Sequence, residues 1–325
     1  GWKGGTVQEE IRNKRVGLLS FRILSFGEAL WDLLPDESVL GGAPLNFAYR
    51  AGTLGSDTSL VSRLGTDELG GRAWAQMKHL GMDVRFIQRD SSRPTGTVKV
   101  TFDSARNPDY VILENVAYDF IESTGEMNEA AAGADCICFG SLAQRSSGSR
   151  QTLSVLLDHF RGGYVLYDVN LRKKCYSEEI IRASLQKANI VKLNETELAE
   201  LKGILGLSSD GLQALASELV SAFSLHCLVT TLGSQGAFAV TPDGTAYSRG
   251  FNVLVEDTLG SGDAFTAGFI FALLSKKPVA EALTFGNALG ALVAGQKGAT
   301  QETSLEDLHR FMETGKQGPP HPRFG

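Results

Sequence analysis

Short runs of apolar and β-branched residues alternate with helical patterns along most of this 325-residue chain, and that rhythm leaves few folds open. Ile23–Phe26, Thr58–Val61, Val84–Ile87, Cys136–Phe139, Tyr164–Tyr167, Ile190–Leu193 and Leu228–Thr231 read as strands. Gly71–Leu80, Gln151–Phe160, Asn194–Leu201 and Val279–Gln296 read as helices, and a last helix follows Glu302. Such alternation builds β-α-β units, hence a parallel sheet with helices on both faces. The 42% hydrophobic content supplies a substantial core, in one large domain or two smaller ones. One segment breaks the rhythm. After Pro94-Thr95-Gly96, residues Thr97, Lys99, Thr101 and Asp103 alternate with Val98, Val100 and Phe102, and Tyr110–Leu113 follows the polar turn Ala105–Pro108. That is the pattern of an antiparallel hairpin inserted in an α/β chain.

The stretch Asp257–Ile270 carries the clearest chemistry. The β-like Phe251–Val255 precedes it and a 3.6-period apolar pattern follows, so Gly260, Ser261, Gly262 and Asp263 are expected where a loop enters a helix. A helix start presents unpaired N–H groups and the positive end of the macrodipole. Glycines there let a phosphate approach the backbone. Asp263 is the odd member, because a carboxylate beside an anion nest raises local repulsion. The cost makes sense where that carboxylate must accept a proton from a hydroxyl. An ordinary helix N-terminus with an acidic first turn fits the same spacing. Ala264, Ala267 and Gly268 give the helix a small-residue face for close packing.

Composition narrows the partners. A net charge of -6, from 31 basic and 37 acidic residues without a long single-sign run, points away from nucleic acid and from anionic membrane surfaces. Cys136, Cys138, Cys175 and Cys227 lack redox or zinc spacing and read as buried thiols, and the five histidines show no metal-ligand spacing. Residues 1–21 read as a tag remnant or poorly ordered tail, and 317–325 as a second tail. Arg12, Lys14 and Arg15 before Val16–Phe21 imitate a secretory leader, but Arg22 interrupts the apolar run and no small-residue cleavage site follows, so a cytoplasmic protein is expected. No run reaches the ~20 apolar residues that span a bilayer. Neither a P-loop nor a dinucleotide fingerprint occurs.

Two stretches, in order and far apart, resemble the two signatures of the PfkB, or ribokinase-like, carbohydrate kinases. Gly41-Gly42-Ala43-Pro44-Leu45-Asn46-Phe47-Ala48 is similar to the N-terminal signature and Asp257–Ile270 to the C-terminal one, and the likeness covers about residues 22 to 300. The resemblance implies a ribokinase-like three-layer α/β/α domain over 22–316, with a mostly parallel central sheet and a small inserted β-lid from segments about 30–41 and 95–120. It implies ATP and Mg²⁺ as cofactors, with K⁺ as a further candidate, and a homodimer through the lid. Asp263 would be the base, with the Gly260, Ser261 and Gly262 amides on the γ-phosphoryl group. Asp32, Gly41, Gly42 and Asn46 would hold the sugar, Asp32 matching the family's acidic residue better than Glu28. Phe102 and Arg106 are lid candidates. Asp168, Asn170 and Arg172 match a D-P-N-x-R segment of fructokinases, with Val169 replacing the proline.

On the nucleotide side the resemblance points to Lys192, to Asn194 with Glu197 acting on Mg²⁺ through water, to Thr231, Gly233, Ser234 and Gly236, and to Asn287 near adenine. Lys297–Thr300 and Asp257 match a monovalent-cation site. Plain alternatives stand beside several of these. Gly41–Asn46 also reads as a helix-entry turn, Asn194 with Glu197 as a capping box, Leu232–Gly236 as a hairpin turn, and Arg172 as a surface-loop residue. Phe102 and Arg106 also fit hairpin residues facing core or solvent. The motif forms are closest to bacterial fructokinases, so D-fructose to fructose 6-phosphate is the expected reaction. A 2-keto-3-deoxygluconate kinase, then a ribokinase or nucleoside kinase, are the alternatives, and a non-catalytic sugar or nucleotide sensor is the reading from another class.

Overall fold

Strands whose residues are apolar on both faces need cover on both faces, and this chain provides it. The computed structural model describes residues 20–102, 108–172 and 175–324, with the backbone alone for 100–102 and 108–110. Arg106 and residues 1–19 lie outside the described residues, as does the side chain of Phe102. The strands are β1 (Arg22–Phe26), β2 (Leu30–Leu33), β3 (Ser38–Gly41), β4 (Asp57–Gly65), β5 (Ile87–Asp90), β6 (Gly96–Phe102), β7 (Pro108–Ile112), β8 (Cys136–Phe139), β9 (Tyr164–Asp168), β10 (Ile190–Asn194), β11 (Cys227–Thr231), β12 (Ala237–Thr241) and β13 (Gly244–Ser248).

Nine of them form one sheet in the order β13-β12-β11-β10-β9-β8-β1-β4-β5. Pairing is parallel from β11 across to β5, and β12 and β13 add an antiparallel edge. In β8, Ile137 and Phe139 face one core with Leu24 and Phe26, while Cys136 and Cys138 face the other with Ile23. The first core is closed by helices that include Ser147–His159, Glu178–Lys187, Glu195–Leu205 and Leu212–Phe223. The second is closed by Ala43–Thr53, Ser261–Leu274, Val279–Ala294 and Leu305–Thr314. The fold is therefore the three-layer ribokinase-like α/β/α arrangement. The expected small-residue face is used: a Cβ on Gly268 would stand 3.1 Å from the Phe285 carbonyl oxygen and 3.3 Å from the Gly286 Cα.

The hairpin β6-β7 is antiparallel, and β2 pairs parallel with β6 and antiparallel with β3, giving a separate four-stranded sheet in the order β3-β2-β6-β7. Its chain entry is pinned by Asp67, which caps the helix Glu68–His79 through the Gly70 N–H and also accepts the Thr95 N–H and hydroxyl at 2.8 and 2.6 Å. Its exit is pinned by Arg145, which donates to the Leu113 carbonyl at 2.7 Å and to both oxygens of Asp119.

Several local expectations change. Phe251–Val255 is not a strand: Phe251 makes one isolated bridge, to Gln317, and Leu254 is 82% exposed. Val84–Phe86 is a turn, because the Asp83 carboxylate accepts the Arg85 N–H at 3.0 Å and Nε–H at 2.7 Å, and the strand begins only at Ile87. The C-terminal residues are docked, Phe324 stacking on Tyr247 with ring centroids 4.7 Å apart. All four cysteines are buried free thiols, and among the described residues no helix is long and apolar enough to cross a membrane.

Candidate active site

The parallel strands β1, β9, β10 and β11 end at one cavity of about 740 Å³, the position where open α/β sheets bind ligands. The chain runs outward from β1 through β4 to β5, then resumes at β8 on the other side, so the cavity lies beside the switch in strand order.

Its centre is the start of the helix Ser261–Leu274. Gly260 is the N-cap in the left-handed region, with φ 73°, and a Cβ there would meet the Ala299 Cβ at 2.5 Å. Glycine is required at that position for both reasons. Gly260 and Gly262 line the cavity, together with Asp263 on the first helical turn. Ser261 is not part of the lining, and its hydroxyl donates to the Thr258 carbonyl at 2.9 Å. Asn46, on the buried face of the helix Ala43–Thr53, donates from Nδ2 to Asp263 Oδ2 at 2.9 Å. Its own Oδ1 is buried without a partner among the described residues, free to accept from a hydroxyl.

Burial pushes the Asp263 carboxyl up to about 6, with the Asp168 charge adding to it, while Asn46, Lys192 and Arg172 pull the other way. Beneath it lies a closed polar network. Lys192 Nζ donates to the two oxygens of Asp168 at 3.1 and 3.2 Å, and Thr266 Oγ1 donates to the same carboxylate at 2.9 Å. Burial opposes the ammonium charge, but Asp168, Glu197 and Asp263 together hold Lys192 above its ordinary range. Asp168 therefore sits behind the wall rather than on it.

On one side of the cavity stand Asp32, Gly42 and Asn46 with the apolar Leu30, Val98 and Ile112. Gly41 ends β3 beside them but is not in the lining. Glu28, set aside in favour of Asp32 on the sequence, lines the cavity too and is buried. Burial raises it to about 7 and Asp32 to about 6, against the nearby Arg172 charge. Its position just past the end of β1 was the available signal. Asn170 and Arg172 extend from β9 into the cavity, Asn170 with a left-handed φ of 41°.

On the other side are Lys192, Asn194, Glu197 and Thr231. The capping box is real: Asn194 Oδ1 accepts the Glu197 N–H at 2.8 Å and Glu197 Oε2 accepts the Asn194 N–H at 2.9 Å. Glu197 Oε1 also accepts the Leu171 N–H at 2.9 Å, so each oxygen keeps capacity for a water. Gly233 and Ser234 form a 3-10 turn between β11 and β12, outside the cavity lining. Gly236 ends that turn where a Cβ would strike the Ser248 carbonyl at 2.1 Å, which gives it a packing reason of its own. Asn287 is buried and spends its amide on the Ser248 and Arg249 carbonyls at 3.0 and 3.1 Å. Both Asp257 oxygens accept backbone N–H groups, from Leu259 and Gly298, and the Ala299 carbonyl accepts from Arg50.

The profile of the pfkB family carbohydrate kinases matches residues 36–306. The chain belongs to this family. As a pfkB family member it is a phosphotransferase with an alcohol group as acceptor. It is 29% identical over 311 residues to a fructokinase of Klebsiella pneumoniae, covering 90% of this chain and 99% of that one. Among solved structures, a double-mutant fructokinase of Vibrio cholerae O395 with fructose, ADP and a potassium ion superposes with a TM-score of 0.77 at 25% identity, covering 90% and 98% of the two chains. An aminoimidazole riboside kinase of Salmonella enterica, complexed with its riboside and an ATP analogue, gives 0.75 at 25% identity over 89% and 99%.

Proposed function

We propose that this pfkB kinase transfers the γ-phosphoryl group of ATP to a primary hydroxyl of D-fructose, giving fructose 6-phosphate. The observation that carries the reading is Asp263: a partly buried carboxylate, oriented by Asn46, at the mouth of a glycine nest and facing a cavity lined by further carboxylates. The fructokinases among its relatives support the sugar.

Asp263 takes the proton of the attacking hydroxyl. Its carboxyl, raised to about 6 by burial, is mostly ionised at neutral pH yet basic enough to be a competent acceptor. The amides following Gly260 meet the charge that develops on the phosphoryl oxygens. Glu28, Asp32 and Asn46 fix the sugar by accepting its hydroxyl protons. The four-stranded sheet acts as a lid that excludes water, with Val98 and Ile112 as its inner face. Its outer strand β7 leaves Val111 half exposed and is the edge through which a dimer would pair.

Glu197 suits Mg²⁺, because its oxygens keep room for waters and magnesium dehydrates reluctantly. Mg²⁺, when bound, neutralises phosphate charge. Asp257 and the carbonyls of Lys297–Thr300 are the groups that would meet K⁺, although the Ala299 carbonyl is already engaged.

Arg172 favours a second substrate reading. It is an exposed cation on the cavity wall and would suit the carboxylate of 2-keto-3-deoxygluconate.

The test is Asp263→Ala. Turnover should fall by ~10²–10⁴ while the protein stays folded; near-normal turnover in a folded variant would remove Asp263 from the role of base.

A further inference from the structure

Arg50 lies one helical turn past Asn46 in Ala43–Thr53 and is 0% exposed. A buried guanidinium is costly unless its charge is answered, usually by a carboxylate. Arg50 is answered instead by one loop. Its Nη2 donates to the Ala299 carbonyl at 2.6 Å, and its Nη1 to the Gln301 carbonyl at 2.6 Å and to the Thr303 hydroxyl at 3.3 Å. Burial lowers it only to about 10, so it stays charged at neutral pH.

The loop it holds is the wall of the nest. Ala299 is buried, and its Cβ stands 2.5 Å from where a Cβ on Gly260 would be. The Asn46 Nδ2 stands 3.5 Å from the same point. Residues four apart on one helix face project together, so Ala43–Thr53 grips the nest twice: Asn46 through Asp263, and Arg50 through Ala299 and Gly260.

We infer that Arg50 is a positioning residue for phosphoryl transfer, tying residues 299–303 to the helix Ala43–Thr53 and thereby fixing Gly260 and the amides that follow it. Its effect on catalysis rests on the kinase reading; its effect on the nest rests on packing alone. A methionine at position 50 fills similar space but leaves the buried Ala299 carbonyl and the part-buried Gln301 carbonyl without this donor. Lysine keeps the charge as a point donor that cannot reach both carbonyls with a planar fork.

The experiment measures amide hydrogen exchange across 258–264 and steady-state kinetics in Arg50→Met, Arg50→Lys and Ala299→Gly. In Arg50→Met, exchange at those amides and the loss of kcat should both be about tenfold or more, since small misplacements of reacting groups cost that much, while the sugar KM changes less. Arg50→Lys should recover part of both. Ala299→Gly, which leaves Arg50 intact, should shift both in the same direction by less, and it carries the test if Arg50→Met does not fold. A folded Arg50→Met with lower Tm but unchanged exchange at 258–264 and unchanged kcat overturns the inference. Faster exchange in an enzyme whose wild type turns over no sugar sustains the positioning of the nest and overturns the kinase reading instead.

Discussion

The two sides of the cavity are built on opposite principles. Below the nest, Asp168, Lys192 and Thr266 satisfy one another at 2.9 to 3.2 Å, and Glu197 and Asn194 close a capping box above β10. Facing them, Glu28, Asp32 and Asp263 are carboxylates that burial has pushed up to about 7, 6 and 6, and Asn46 keeps an unpartnered oxygen. The first side keeps its geometry through these internal contacts. The second is incomplete, and sugar hydroxyls would supply the donors it lacks. On the proposed reading, the rigid side would support the phosphate and the unsatisfied groups would meet the sugar.

That contrast can be broken by mutation. Lys192→Met leaves Asp168 a buried carboxylate without its cation, and should destabilise the fold by about 3–5 kcal/mol, read from denaturant unfolding. A loss under about 1 kcal/mol would place the pair among exposed ion pairs. Asn46→Ala removes the donor that favours ionised Asp263. A hydrogen bond to a charged group is worth about 1.5–3 kcal/mol, so kcat/KM at neutral pH should drop by at least about tenfold. Its acid limb should move to higher pH, and an unmoved limb would show that Asn46 acts elsewhere. Asp32→Asn should raise the sugar KM by about tenfold with little change in kcat, as expected for uniform binding; the reverse split would put Asp32 in the chemical step.

A further effect is on stability against pH. Glu28, Asp32 and Asp263 have folded pKa values of about 7, 6 and 6, above their ordinary 4.5, 3.8 and 3.8. The folded protein therefore keeps protons that the unfolded chain has lost between those values, and stability contributed by these groups declines as pH rises through the window. Glu28→Gln should flatten the fall in Tm between pH 4.5 and about pH 7. An unchanged slope would show that Glu28 does not titrate there.

Most of the architecture was legible because strand and helix periodicities are local. The α/β rhythm, the β6-β7 hairpin and the capping box at Asn194 all lie in short windows of residues. What failed depended on partners. Phe251–Val255 has strand composition but, among the described residues, makes only an isolated bridge from Phe251 to Gln317, and Val84–Phe86 is bent by a single Asp83 side chain. On the cavity wall, Asp263 and Asn46 were singled out from their motifs, whereas Asp168, expected to hold the sugar, lies behind the wall with its carboxylate engaged by Lys192 and Thr266. Glu28 was weighed and set aside for Asp32, although its position just past β1 was a signal that it faces the cavity. Nothing local reveals Arg50, whose partners lie about 250 residues away in the sequence. Asn287 reads as a ligand residue in a motif, yet its amide is spent on two backbone carbonyls.

The most direct measurement is coupled ADP release with Mg-ATP against D-fructose, 2-keto-3-deoxygluconate, ribose and adenosine. Saturable, fructose-dependent turnover that exceeds the other three is expected. Turnover led by the keto-deoxy sugar acid would contradict the assignment of fructose, and nucleotide binding without release of ADP on any acceptor would contradict phosphoryl transfer itself.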